Sequence, residues 1–134
     1  MDILSKPNFD QTEKSSAMLI KTDTFDIIFL YLSKQFDEAH LLSVLENWLE
    51  SKMPTVVMGD VNWYWNGNGK NSMRAYMKSR KCNQLISKAT HEDGNIIDHI
   101  YASDHFPQDS LRVNQQSVTF SDHDVISVSI SPLQ

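Results

Sequence analysis

At 134 residues, with 40% hydrophobic and 22% charged residues, the chain has room for one globular domain with a modest core. Twelve Lys and Arg against 17 Asp and Glu leave a formal charge of −5. That excludes a basic, charge-driven nucleic-acid coat and is compatible with a carboxylate site that recruits a divalent cation.

Residues 1–16 are polar without a period and read as a loose N-terminal arm, with 17–134 as the domain proper. Ala17–Lys21 and Phe25–Leu32 read as two strands of a hairpin closed by Thr22-Asp23-Thr24, the second apolar enough to be central. Asp37 is a candidate N-cap for a helix to about Lys52, with Leu41, Leu42, Leu45, Trp48 and Leu49 on one stripe and Glu38, Glu46 and Glu50 facing away. Thr55–Met58, opened by Pro54 and closed by Gly59, is a short β-branched run, so strand, helix and strand predict a parallel crossover.

Trp63-Tyr64-Trp65-Asn66-Gly67-Asn68-Gly69-Lys70 is a loop without a phosphate-cradle pattern. Trp63 and Trp65 are candidates for stacking on a base or sugar, or else they cover the end of the sheet. Ser72 is placed to cap a short helix with Met73, Tyr76, Met77 and Arg80 in register. Leu85–Ser87, Ile96–Ala102, Leu111–Val118 and Asp124–Ile130 read as further strands, the last alternating as a half-exposed strand near a sheet edge.

The lone cysteine, Cys82, excludes an internal disulfide and reads as a small inert hydrophobe. No basic leader with an apolar core and no bilayer-length apolar run is present, so the expectation is no membrane and an intracellular chain, in cytoplasm or nucleus.

Asp60 and Asn62 leave the end of the Thr55–Met58 strand, where open α/β sheets place their chemistry; the plainer reading is an Asx-turn. Asp98 sits among Ile96, Ile97, Ile100 and Tyr101, where a carboxylate is costly unless paired. His123 is the candidate partner: a carboxylate on one ring nitrogen orients an imidazole and raises its pKa. By the two-residue period Asp98 or His99 faces inward, not both, and Asp98 is preferred. Asp122 and His123 reach one site if Ser121–Asp122 is a turn; the plainer reading is an Asx or Ser turn that merely leads into the strand. Cys82, His91, His99 and His105 lack zinc-ligand spacing, and Ser121 with His123 has no triad framework, so neither a structural zinc site nor a serine nucleophile is expected.

Taken in order, Gly59-Asp60-Val61-Asn62, then Ile97-Asp98-His99-Ile100-Tyr101-Ala102-Ser103, then Ser121-Asp122-His123-Asp124 before an alternating strand resemble the C-terminal half of the endonuclease/exonuclease/phosphatase superfamily, the DNase-I-like fold. The resemblance covers about residues 17–130 and about half of the family's domain. It implies an α/β fold, a partial DNase-I-like sandwich with one mixed sheet and helices packed on one face. The other face is then expected to be apolar and uncovered, inviting a homo-oligomer or a complementary half-domain.

The resemblance implies a metal-dependent phosphodiester hydrolase acting on nucleic acid or another phosphoester, with Mg²⁺ or Mn²⁺ as cofactor. Asp60 then aligns or deprotonates the attacking water, Asn62 steadies the phosphoryl transition state, and His123 contacts the scissile phosphate with Asp98 orienting it. Asp122 and Asp60 are the metal carboxylates, and Tyr31 contacts phosphate, although Ser33 and Lys34 stand where the family often has Pro and Asn. The motifs are also similar to endonuclease-like domains of mobile-element proteins. The family's strand-borne metal-binding Glu and upstream Asn have no match before Tyr31: Glu13 lies in the polar arm, and no strand is expected around Asn8. The chain is therefore expected to be weak or inactive alone, and the rival reading is a non-catalytic remnant that serves as a binding or assembly module.

Overall fold

The computed structural model describes residues 2–5, 8–10, 15–33, 36–50, 52–62, 71–107 and 109–131. The first hairpin forms as expected. β3 (Ser15–Lys21) and β4 (Asp26–Tyr31) pair antiparallel from Ser16↔Tyr31 to Lys21↔Asp26. The Thr22 hydroxyl closes the turn by accepting from Phe25 N at 3.0 Å and donating to Phe25 O at 2.7 Å.

Two short strands precede that hairpin, β1 (Asp2–Ser5) and β2 (Asn8–Asp10), and both pair antiparallel with β3. The described stretches of the N-terminal arm are thus attached, not loose, and Asn8 does lie in a strand. The cause is the outer edge of β3, whose unpaired N–H and C=O groups template extended backbone whatever its side-chain pattern.

Asp37 caps α1 (Glu38–Trp48), its carboxylate accepting from His40 N at 3.0 Å. Leu41 and Leu45 are fully buried on the sheet, and Leu42, Trp48 and Leu49 flank them. The helix returns the chain to β5 (Thr55–Asp60), parallel to β4 from Asp26↔Thr55 to Tyr31↔Asp60, which completes the predicted crossover.

α2 (Asn71–Ser79) already includes Ser72, so that residue lies within the helix and does not cap it. Its hydroxyl instead donates to the Glu38 carboxylate at the start of α1. Met73 and Met77 are buried against the same sheet face as Leu41 and Leu45. Tyr76 Oη donates to Glu46 at 2.9 Å and Arg80 pairs with Glu46 at 3.3 Å, tying the two helices side by side.

The next strand lies earlier than predicted. β6 is Cys82–Gln84, not Leu85–Ser87. Lys81, at φ 57°, turns the chain out of α2 at once, and pairing ends because the Gln84 side chain takes over: its Oε1 accepts from both Ile86 N and Ile100 N at 3.1 Å. Cys82 is buried in the core, and burial pushes its thiol up to about 11, so it is the inert hydrophobe expected.

β7 (Asp98–Ser103) lies between β5 and β6, giving a sheet in the order β1-β3-β4-β5-β7-β6 with β2 also on β3. Of the described pairings only β4–β5 is parallel, so the sheet is mixed. Both helices pack on one face, around Leu19, Ile28, Leu30, Val57 and Tyr101.

The opposite face differs from the expectation of an uncovered surface. β8 (Leu111–Gln116) and β9 (Val125–Ile130) form a separate antiparallel hairpin that covers part of it. Val113, Ile126, Val128 and Ile130 pack over Val56, Met58 and Ile100, because the period-two pattern of the hairpin offers one apolar face and needs a partner. Among the described residues the β3–β4 end of that face stays bare, with Phe29 36% and Tyr31 55% exposed. The architecture is α/β: a mixed sheet with helices on one face and a two-stranded sheet on the other. Among the described residues no helix is long and apolar enough to cross a membrane.

Candidate active site

β5 and β7 deliver the two acids together. Their register sets Asp60 opposite Asp98, on the hairpin side of the sheet with Met58 and Ile100. Asp98 and Ile100 share that side, while His99 and Tyr101 turn to the helix side. His99 is wholly buried there, with Nδ1 at 2.7 Å from Tyr101 Oη and Nε2 at 3.0 Å from Ile96 O. Asp98 therefore points into the site and His99 serves the core.

Gly59 makes the approach of β5 to β4 possible. Its φ is 141°, and a Cβ there would sit 1.9 Å from Leu30 O. Beyond it, Leu32 N donates to Asp60 O at 2.9 Å and Val61 N to Ile97 O at 2.9 Å, fixing the strand end between its neighbours. Asn62 then takes φ 53°, and its side-chain amide donates to Leu32 O.

His123 arrives from the other layer. Ser121 Oγ accepts from His123 N at 3.1 Å, a serine turn, and so both Asp122 and His123 face the site. An isolated antiparallel bridge pairs His123 with His91, reinforced by Glu92 N to Asp122 O at 2.9 Å and Asp124 N to Thr90 O at 2.7 Å. The Thr90 hydroxyl accepts from Ile97 N at 3.1 Å and Asp98 N at 3.0 Å, which anchors the entry to β7.

The result is a line of charge through one imidazole. His123 Nδ1 lies 2.7 Å from Asp98 Oδ2, and Nε2 lies 3.9 Å from Asp60 Oδ2 and 3.9 Å from Asp122 Oδ1. Burial pulls the imidazolium down, but the hydrogen bond and charge of Asp98, with Asp60 and Asp122, outweigh it and hold His123 above its ordinary value. Burial, then the charge of Asp98, pushes the Asp60 carboxyl up to about 6, against the opposing pull of His123, Asn62 N–H and His91. Such an arrangement orients a ring, favours its doubly protonated form and places a carboxylate with near-neutral pKa beside it.

Tyr31 pairs in register with Asp60 and shares its side of the sheet, but it is exposed, and no described contact joins the two. Asn62 reaches Leu32 O, which leaves the second N–H of its amide for the site. Asp122 is half exposed and bonded to His91 Nε2 at 3.0 Å. Trp63, Trp65, Lys34 and Glu13 lie outside the described residues. Sequence reasoning missed Thr90 and set His91 aside for want of spacing; the only local signal was the Asp93-Gly94 turn after them, which folds the segment back.

The residues fit a divalent cation. Asp60 Oδ1 is buried and, among the described residues, has no hydrogen-bond partner. An unmatched carboxylate oxygen beside a second acid is relieved by a hard cation. Among the described residues ligand-capable atoms form two clusters, Asp60–Asp98–His123 and His91–Asp122–His123, each within 4.8 Å. Asp60 and Asp122 thus fall in different clusters that meet at His123.

No protein-family model and no curated protein sequence matches the chain. Solved structures do. CdtB, the biologically active subunit of cytolethal distending toxin, superposes with a TM-score of 0.68 at 14% identity, over 96% of this chain and 56% of that one. The endonuclease domain of TRAS1, a telomere-specific non-LTR retrotransposon, gives 0.69 at 13% identity, over 97% and 67%. The human Nocturnin catalytic domain gives 0.61 at 17%, over 97% and 60%. The chain therefore spans between about half and two thirds of the structures it matches, and at these identities the likeness is one of fold. Mixed sheet, hairpin layer and superpositions together identify the fold as DNase-I-like, and the chain spans only part of the structures that share it.

Proposed function

We propose that the chain carries a metal-dependent phosphodiesterase site of the nuclease type, directed at nucleic acid and weak or inactive in isolation. The observation that supports this most is His123 held by Asp98 with Asp60 on its far side. Asp60, with a pKa of about 6, takes the proton of a water attacking phosphorus. His123, doubly protonated, donates from Nε2 to a phosphoryl oxygen as charge builds there, and Asp98 accepts from Nδ1–H and orients the ring. Asn62 offers its second amide N–H to the same oxygens, Tyr31 stands at the rim for a flanking phosphate, and the leaving oxygen takes its proton from solvent.

Asp60 and Asp122 are the residues we assign to hold Mg²⁺ or Mn²⁺, which when bound would supply Lewis-acid charge to the phosphoryl group. The fold shared with a retrotransposon endonuclease domain supports a nucleic-acid substrate of mobile-element type. The same reading puts the chain inside the cell, in cytoplasm or nucleus.

The bare β3–β4 face we assign to a complementary half-domain. Among the described residues β9 pairs with β8 alone, and its open edge borders the groove formed by Phe25, Ile27, Phe29 and Met58. A strand added there would satisfy that edge and cover Phe29 at once. A second copy paired edge to edge about a twofold axis would bring two large sheets to the same side. Sedimentation decides: a monomer is expected, and a dimer dispersed by Phe29→Glu would overturn the assignment.

A non-catalytic assembly module is favoured by one observation, the separation of Asp60 and Asp122 into two clusters. Hydrolysis of single- and double-stranded DNA in Mn²⁺, compared with His123→Ala and Asp60→Asn, separates the readings. Activity lost in both variants supports the enzyme. Equal rates in all three proteins would leave the module.

A further inference from the structure

We propose that His91, Asp122 and His123 form a site for a zinc-like transition-metal ion, distinct in chemistry from any all-oxygen Mg²⁺ site. His91 and His123 are 32 positions apart, yet the bridge between them makes them direct cross-strand partners, with ring centroids 4.9 Å apart. Asp122 lies beside both: its Oδ2 is 3.0 Å from His91 Nε2 and its Oδ1 3.9 Å from His123 Nε2. Ligand atoms around tetrahedral zinc stand roughly 3.3 Å apart, so these separations bracket the requirement and small side-chain rotations meet it.

The surroundings carry the argument further. Each imidazole turns its Nδ1 to a second carboxylate, His123 to Asp98 at 2.7 Å and His91 to Asp93 at 3.1 Å. A carboxylate behind a histidine fixes the tautomer that frees Nε2 and makes it a stronger donor, the usual support of a zinc-bound imidazole. Here His123 has that support in place, His91 has the Asp93 carboxylate within reach of its Nδ1, and both Nε2 atoms face one acid.

In the metal-free protein His91 Nδ1 also lies 3.2 Å from Asp93 N, a bond that suits a proton on Nε2 donated to Asp122. Metal would replace that proton, and Nδ1–H would then donate to Asp93 Oδ1. The three side chains are 20%, 52% and 29% exposed, so an ion has a path in and the fourth position stays open to water. Two imidazoles and one carboxylate suit zinc or cobalt, whereas Mg²⁺ takes oxygen ligands.

This site uses the Nε2 that the proposed phosphodiesterase needs on His123. Resting on that reading, zinc would inhibit hydrolysis supported by Mg²⁺ or Mn²⁺.

Calorimetry with Zn²⁺ and with Mg²⁺ on the metal-stripped chain tests the site without any activity. The expected result is one Zn²⁺ per chain, bound at least 100-fold more tightly than Mg²⁺, with Co²⁺ giving the visible bands of a tetrahedral ion. His91→Ala should weaken Zn²⁺ at least about 50-fold and leave Mg²⁺ within about threefold, and Asp93→Asn, on an exposed turn, should weaken Zn²⁺ about 10-fold. Zn²⁺ affinity unchanged in His91→Ala, or no tighter than Mg²⁺ in the parent chain, would overturn the proposal. If His91→Ala does not fold, the Asp93→Asn and Co²⁺ results decide. Zinc bound this way by a chain whose hydrolysis in Mn²⁺ is unchanged by Asp60→Asn would sink the phosphodiesterase and leave the zinc site standing.

Discussion

Asp98 holds His123 by a single short bond, 2.7 Å from Oδ2 to Nδ1, across the gap between the main sheet and the hairpin layer. Asp98 is buried and its backbone N–H is tied to Thr90 Oγ1, so the acid is fixed before the imidazole meets it. Replacing the charge by an amide weakens the two largest causes that raise His123 while leaving the smaller pulls of Asp60 and Asp122 and the burial that lowers it. In Asp98→Asn the His123 pKa, followed by NMR of the ring protons, should therefore fall. Any hydrolysis should drop about 100-fold, the usual scale for losing the partner behind a functional histidine. A His123 titration that does not move would break the link.

The metal-free protein should lose stability as pH rises from about 4 and go on losing it above 6.5. Asp60 has a folded pKa of about 6, above its ordinary 3.8, so its contribution is full below the lower value and is lost as pH climbs through the higher. The loss is on the order of 2 kcal/mol after allowing for its partial exposure. His123 is also raised, so what it contributes is present below its ordinary 6.5 and fades above it, in the same direction. Melting curves in EDTA should show this slope, and Asp60→Asn should flatten its acid half. A melting temperature level across the range would count against the burial of Asp60.

Much of the sheet was legible because its strands are apolar runs with clear ends. Ile27–Leu30 and Thr55–Met58 could sit only in the middle, and the Asp37 cap and the Leu41–Leu45 stripe specified the crossover helix. The Asp98–His123 pair was legible too, since a carboxylate among isoleucines needs a partner. β1, β2 and β6 were not. The first two form because an edge attracts backbone, and β6 stops where one Gln84 oxygen replaces two ladder partners. The hairpin layer was missed because alternation in β9 shows that one face is buried but not what buries it. His91 was invisible for a related reason: its neighbours Asp122 and His123 reach it through a bridge that no spacing rule encodes.

Gly59→Ala should be among the most damaging single substitutions in the described chain. A methyl at 1.9 Å from Leu30 O meets backbone, not a movable side chain, and φ 141° is closed to alanine. The β4–β5 pairing must open or β5 must twist, at a cost of about 3 kcal/mol or more. Chemical denaturation measures it. The site should suffer with it, because Asp60 is the next residue. A loss under about 1 kcal/mol would mean that β5 does not pass so close to β4.

Thr90→Val tests the anchor that no motif marked. The substitution keeps the shape and removes the oxygen that accepts from Ile97 N and Asp98 N, both buried. A buried N–H left without a partner costs about 1–3 kcal/mol, and two share one acceptor here, so a loss of about 3 kcal/mol is expected by denaturation. Some of it will be relieved if the entry to β7 shifts toward water. That relief would itself be informative, since it would move Asp98 away from His123 and lower the His123 pKa. Thr90→Ser restores the oxygen without the methyl and should recover most of the stability and the His123 titration together. Recovery of stability without recovery of the titration would show that Thr90 holds the strand but does not position Asp98.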